Sequence, residues 1–344
     1  MNKLVTIAIA SYNNALYIER CVDSVLNQTY RNLEILIVDD GSKDDSIDRI
    51  EKYQSDKRVR IETKENGGLS SVRQLCLDLA KGEYISFIDA DDYLVPTYVE
   101  RMLNKLLLDG SDICLCSTRF EDENGCYNAK ESNQFLCKDT DNPVKITIES
   151  LSDPNERLFS LFFLSDSWNK MYRVEYLQAC GVSFNMPKGL NGTDLVFNRR
   201  LYIHCPIYSR IKTEEYVHVI YSRSAVHRKN KDLLSTAMIA CDNLLSDSKT
   251  LKKERQLKKR IAVFYYGDLF FAFKDIYMEV QSQKIFKESV KTMLRRHDEF
   301  VLTSNIRMPK ECKSYMLKSF DFLIRKMQLA LPLYFKVCNC LFHW

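Results

Sequence analysis

Short apolar runs alternate with amphipathic stretches through the first 120 residues, and this alternation limits the fold more than any other feature of the chain. "VTIAIASY" reads as a strand, and "ALYIERCVDSVLNQ" then puts Ile18, Cys21, Val22, Val25 and Leu26 at helical spacing. "EILIVDD" is a second strand, with Ser42 or Asp44 placed to cap the helix "DSIDRIEKYQ". "RVRIETK" is a third, more exposed strand. "LSSVRQLCLDLAKG" follows as a helix with Val72, Leu75, Cys76 and Leu79 on one face and Gly82 as its stop. "YISFID" is a buried fourth strand. A helix opened by Pro96 and closed by Gly110 leads to a fifth strand, "DICLCSTRF". Strands that alternate with helices in this way predict an α/β fold, a mostly parallel sheet covered on both faces.

Bulk properties narrow the class. With 344 residues and 45% apolar content, the chain can bury a sizeable core as one large domain or one domain with a smaller one appended. A net charge of +4 is too small to imply a nucleic-acid partner. The twelve cysteines are scattered and do not resemble a disulfide framework. The opening "MNKLVTIAIASYNN" enters a strand at once, without the h-region and cleavage site of a signal peptide. No apolar run reaches the roughly 20 residues of a spanning helix. A reducing, cytoplasmic location is therefore expected.

In a parallel sheet, ligands bind beyond the carboxyl ends of the strands. The polar clusters gather there: Tyr12-Asn13-Asn14 after strand one, Asp39-Asp40-Gly41-Ser42 after strand two, Asn66-Gly67-Gly68 after strand three and Asp89-Ala90-Asp91-Asp92 after strand four. Asp89 and Asp91, separated by the small Ala90, are placed to share a cleft. A hard divalent cation, Mg²⁺ or Mn²⁺, takes such oxygen ligands and completes its shell with phosphates. A solvated acidic turn before the helix at Pro96 is the plainer alternative. "NGGLSSVR" offers backbone N–H groups near a helix start, suited to an anion, with Arg73 one turn further on.

Together, "TIAIASYNNALYIERCVDSVLNQTYRNLEILIVDDGSKDDS" and "ENGGLSSVRQLCLDLAKGEYISFIDADDYL" resemble the nucleotide-sugar-binding half of the family 2 inverting glycosyltransferases of the GT-A fold. The resemblance spans residues 3–115 and continues more loosely to 225. It implies that Ala10, Tyr12 and Asn14 line a base and ribose and that Asp40 reads the uracil edge. Asn66, Gly67 and Arg73 close over base and diphosphate. Asp89 meets the ribose or the waters of the metal, and Asp91 ligates a Mn²⁺ or Mg²⁺ that helps bind a UDP-sugar. Family members take their base from an acidic pair before an apolar helix. In "NGTDLVFNRRLY", Asp194 stands at that position and Thr193 replaces the usual Glu.

"SWNKMYR" falls where the family builds a floor between donor and acceptor. There Trp168 would stack on a sugar or fill a core corner, and Asn169 or Lys170 would reach the pyrophosphate. "YVHVIYSRSAVHRKN" resembles the last strand and mobile loop, with His218 and His227 as candidate metal or phosphate contacts and Ser224-Ala225 where a Gly-Ser pair is usual. Cys338, Cys340 and His343 lack a fourth ligand and read as packing residues. The expected organisation is a catalytic domain over 1–230 and a helical region over 231–344.

In the helical region, Lys252, Lys253, Arg255, Lys258, Lys259 and Arg260 cluster, and the tail adds Lys318, Arg325, Lys326 and Lys336 among aromatics. Such segments suit an anionic membrane face, where lipid-linked acceptors reside, or a bundle packed on the catalytic half or on a second copy of the chain. The activity implied is inverting sugar transfer to a surface polysaccharide or other lipid-linked glycan. A nucleotidyltransferase would want a Gly-rich basic loop after strand one, where "SYNNALYIER" stands. A binding protein without catalysis has Thr193 as its support.

Overall fold

The computed structural model describes residues 2–128, 142–152, 166–190, 192–221, 233–279, 283–307 and 309–310. Ser224, Ala225, His227, Lys318, Arg325, Lys326, Lys336, Cys338, Cys340 and His343 lie outside these residues. The described elements fall into two compact units.

The first unit is built on a sheet. Strands β1 (Val5–Ser11), β2 (Leu33–Asp39), β3 (Val59–Thr63) and β4 (Tyr84–Asp89) run parallel in the spatial order β3-β2-β1-β4. Ile7, Ile9, Ile35, Ile37 and Ile88 are buried, as continuous apolar runs in a sheet covered on both faces must be. Helices α1 (Ile18–Leu26), α2 (Ser46–Glu51), α3 (Leu69–Leu79) and α4 (Tyr98–Asp109) make the crossovers. Ile18, Cys21, Val22 and Val25 of α1 are buried, at the spacing the sequence gives. Gly110 ends α4 in the left-handed region at φ 60°.

Beyond β4 the order departs from a simple parallel continuation. The fifth strand, β6 (Ile113–Asp122), does not pair with β4. A strand from "SWNKMYR", β8 (Lys170–Arg173), lies antiparallel between the two. The long β9 (Ile207–Ile220) runs parallel to β6, and the short β5 (Tyr93–Leu94) and β7 (Val144–Lys145) pair antiparallel with it. Helices α6 (Val174–Cys180) and α7 (Thr193–Ile203) complete this unit. Among the described strands the sheet therefore remains mostly parallel, as expected.

The second unit holds α5 (Ile148–Ser152), α8 (Leu233–Thr250), α9 (Glu254–Glu279) and α10 (Gln283–Ser304). Leu257, Ile261 and Phe264 of α9 are buried, and Tyr265 shares a 2.9 Å hydrogen bond with His297 of α10. Arg260 leaves the expected basic surface cluster. It is fully buried and donates to the carbonyls of Leu151 and Ser150, each at 3.2 Å. Lys252, Lys253, Arg255 and Lys259 are exposed. No helix among the described residues is long and apolar enough to cross a membrane.

Gly82 has a different job from the one its place in sequence suggests. Helix α3 already ends at Leu79, with Ala80 extended. A Cβ at Gly82 would lie 2.6 Å from the Thr6 nitrogen and 2.7 Å from the Tyr84 carbonyl oxygen. The Gly82 N–H donates to Thr6 Oγ1 at 2.9 Å, and that hydroxyl donates to buried Glu34 at 2.6 Å. The glycine thus permits a close backbone approach onto β1. Gly82→Ala should lower stability by about 1–3 kcal/mol, the usual cost of overpacking. Urea denaturation should show a lower midpoint at an unchanged m-value; a simple helix stop at a φ open to alanine would show no loss.

Candidate active site

The strand register brings the rim together. Ser11 pairs with Asp39 and Ala10 with Asp89, so the carboxyl ends of β1, β2 and β4 are level. Side chains stitch the loops that follow. Asn13, at φ 54°, accepts from the Lys43 N–H at 2.7 Å, and its own N–H donates to Ser42 Oγ at 2.9 Å. The Asn14 N–H donates to Ser46 Oγ at 2.8 Å. Ser42 therefore ties loops instead of capping α2, while Asp44 accepts from the Ser46 N–H at 3.1 Å. Tyr12 is left 45% exposed above this frame, with Ala10 half-buried below it.

Asp40 is buried at the end of β2 and holds the Gly-rich turn. Its carboxylate accepts from the N–H groups of Gly67 and Gly68 at 2.9 and 2.7 Å and pairs with Lys64 at 2.8 Å. The Asn66 amide donates to the Asp40 carbonyl at 3.1 Å. A Cβ on Gly67 would come within 2.9 Å of Ser71 Cβ, so a larger residue there would push against the first turn of α3. These bonds place the turn directly over the end of β2.

The three carboxylates at the end of β4 and just beyond it meet different surroundings. Asp92 is fully buried and accepts from Tyr216 Oη at 2.6 Å, from the Val219 N–H at 2.9 Å and from His218 at 3.0 Å. It binds β9 to the rim. Asp89 accepts from Arg73 at 2.7 Å. Burial raises the Asp89 carboxyl above its ordinary range, against the pull of Arg73. Burial, reinforced by Asp92 and Asp89, pushes Asp91 up to about 7. Carboxylates held this close favour a cation among them.

Arg73 is 1% exposed and donates to two carboxylates, Asp89 through Nη2 and Asp194 through Nη1. Burial opposes its charge, but Asp194 and Asp89 more than offset this and keep it protonated. Asp194 sits in the first turn of α7, where the helix dipole favours an anion. Its second oxygen accepts from the Ser167 N–H at 3.0 Å. Asn198, one turn along, donates to the Asp194 carbonyl at 3.0 Å and to Ser167 Oγ at 3.3 Å, and accepts from Tyr172 Oη at 2.9 Å. Phe184 stacks on Phe197 at 3.7 Å and meets Phe87 edge-on, which seats α7 against β4. Residues 121 positions apart are joined in this way.

The "SWNK" residues lie inside the protein. Trp168 is 8% exposed, stacked on His218 with centroids 5.1 Å apart, and packed against Tyr216 and Phe120. Asn169, at φ 40°, turns its amide to Thr118 Oγ1 at 3.0 Å and to the Cys116 carbonyl at 3.4 Å. Lys170 is fully buried and donates to the Asp166 carbonyl and, at 3.1 Å, to Asn169 Oδ1. The chain alone gives Asp92 a place on the rim but no role, and it gives neither to Tyr216, Ser167, Asn198 and Lys64. Only Asp92 carried a signal, its place beside the acidic pair.

Residues 6–179 match the family model described as Glycosyl transferase family 2. EpsH of Bacillus subtilis is 32% identical over 264 residues, which are 76% of this chain and 73% of that protein. The Escherichia coli protein named UDP-Glc:alpha-D-GlcNAc-diphosphoundecaprenol beta-1,3-glucosyltransferase WfaP is 41% identical over 102 residues, 30% of this chain and 41% of its own. The crystal structure of Staphylococcus aureus TarS 1-349 in complex with UDP-GlcNAc shares the fold, with a TM-score of 0.70 at 17% identity over 95% of this chain and 89% of that one.

The Asp92–His218 pair gives a pH-dependent stability. Burial alone would favour neutral imidazole, but Asp92 overcomes it and raises His218 from 6.5 to about 9. A group raised on folding stabilises fully below its unfolded value, and that stabilisation is lost as pH climbs through its folded value. In EDTA, the difference in urea midpoint between wild type and His218→Gln should be largest below pH 6.5 and shrink steadily towards pH 9. A difference that does not change with pH would show that the pair is not charged.

Proposed function

This chain belongs to glycosyl transferase family 2 and is a glycosyltransferase, and from that premise we propose an inverting, metal-dependent transfer from a UDP-sugar to a hydroxyl of a polysaccharide or lipid-linked glycan. The observation that carries the proposal is the gathering of Asp89 and Asp194 around Arg73. It supports a reading in which Asp194 is the base and works beside an Asp89 that belongs to the metal end of the rim. TarS 1-349 has been crystallised in complex with UDP-GlcNAc and with UDP, and WfaP is named for a UDP-Glc donor and a diphosphoundecaprenol-linked acceptor. These support the donor class and the acceptor class.

No group of three His, Cys, Asp or Glu side chains gathers as a metal site among the described residues, so Asp91 suits a hard divalent ion that takes few protein ligands. Its carboxyl is crowded by two others, and ions of this kind take one or two protein carboxylates and complete the shell with phosphate. Asp91 would hold Mn²⁺ or Mg²⁺, with Asp89 beside it. When bound, such an ion neutralises the diphosphate and eases its departure. Tyr12, Ala10 and Asn14 border the base and ribose, and the Asp40-held Asn66-Gly67 turn borders the diphosphate. Asp194 accepts the proton of the acceptor hydroxyl. That oxygen forms its bond to the anomeric carbon as the bond to the UDP oxygen breaks on the opposite face. Trp168, Asn169 and Lys170 support the floor beneath the sugar from within.

Asp91→Asn should weaken UDP binding in Mn²⁺ and leave the weak binding in EDTA unchanged, read by calorimetry. Asp194→Asn should bind UDP normally yet lose about two to four decades of kcat, the scale of a lost general base. UDP release from UDP-glucose, UDP-galactose and their N-acetyl forms, with and without acceptor glycans, reads this directly. Full transfer by Asp194→Asn at neutral pH would overturn the assignment.

The acceptor class also gives the helical unit a role. Lys252, Lys253, Arg255 and Lys259 face solvent at the turn from α8 to α9, and such a cluster suits an anionic bilayer surface. The full chain should co-sediment with phosphatidylglycerol vesicles at low salt, and the four charge reversals to Glu should release it. Unchanged sedimentation would leave association with a second copy as the use of this unit.

A further inference from the structure

The guanidinium of Arg73 stands between the two ends of the reaction. One arm meets Asp89, at the end of β4, and the other meets Asp194, at the start of α7. The side chain is 1% exposed, and Nε has no partner among the described residues. Both terminal amino groups therefore serve carboxylates. Asp89 is 27% exposed and Asp194 15%, so each carboxylate keeps an edge towards solvent while Arg73 does not. A planar guanidinium with fixed forks sets the relative position of two carboxylates in a way a flexible ammonium cannot.

Asp194 is anchored from the other side as well. The Ser167 N–H takes its second oxygen, and Asn198, itself held by Tyr172, takes Ser167 Oγ. The carboxylate is fixed at both oxygens before any substrate arrives, as an active group must be if it is not to reorganise during reaction.

We propose that Arg73 is a positioning residue: it registers the base Asp194 against the donor end of the site through Asp89. This rests on Asp194 being the base. A base displaced by about 1 Å costs on the order of a hundredfold in rate, although binding of the donor is unaffected. Loss of Arg73 should therefore appear in kcat and not in affinity for UDP.

The experiment is a double-mutant cycle on the full chain, with Arg73→Lys and Arg73→Gln made alone and in the Asp194→Asn background. Thermal melts identify folded variants, and Arg73→Lys keeps the buried charge if Arg73→Gln does not fold. In Mn²⁺, calorimetry with UDP should give affinities within about threefold of wild type for the folded variants. UDP release in the presence of acceptor should fall about a hundredfold on Arg73→Gln, with partial recovery in Arg73→Lys. In the Asp194→Asn background the same changes should cost little more, because residues that act as a unit are not additive. Losses that multiply in the double variant, or UDP affinity weakened tenfold or more, would overturn the proposal in favour of direct contact with the diphosphate. Full activity in Asp194→Asn alone would instead remove the base assignment on which it rests.

Discussion

A buried arginine between two carboxylates is costly to arrange. Each charge leaves water, and the cost is offset only when geometry and hydrogen bonding are good. In this chain Arg73 comes from α3, Asp89 from the end of β4 and Asp194 from α7. The arrangement exists only if all three elements are seated. β4 must lie beside β1 for Asp89 to reach the rim, and α7 must be packed by Phe184 and Phe197 for Asp194 to face it. The ion cluster thus couples the β1–β4 half of the sheet to the helix that carries the candidate base.

The remaining rim follows the same logic. Asp40 spends its carboxylate on the backbone of Gly67 and Gly68 and on Lys64, and so fixes the turn proposed to border the donor. Asp92 spends its own on Tyr216, His218 and Val219, and so fixes β9. Of the three acidic residues at the end of β4 and beyond it, Asp91 keeps the carboxyl with the strongest reason to accept a cation. Three neighbouring aspartates divide into a structural anchor, a partner for arginine and a candidate metal ligand. Their protein partners decide the division, because the side chains are chemically the same.

Much of this was legible in the chain itself. Short continuous apolar runs gave strands β1, β2 and β4, and 3.6-residue spacing gave the helices between them, since both are local properties of the chain. The placing of polar turns after strands gave the rim, and the order of motifs gave the family. Gly82 was misread because a close approach to Thr6 and a helix stop both call for glycine, and spacing cannot separate them. Trp168 was open to two readings because a tryptophan before a strand serves a sugar or a core equally well. Its stacking on His218, fifty positions away, belongs to no local pattern.

By itself the sequence determined an α/β chain with a mostly parallel sheet and with acidic and glycine-rich turns on one rim. It did so because hydrophobic period and turn chemistry act over a few residues. Tertiary structure alone decided that β8 enters antiparallel between β4 and β6, that Arg260 is interior, and that Arg73 meets Asp194 across 121 positions. Charge pairing between distant segments leaves no periodic trace, because it depends on which elements the packing of the core brings within reach of one another.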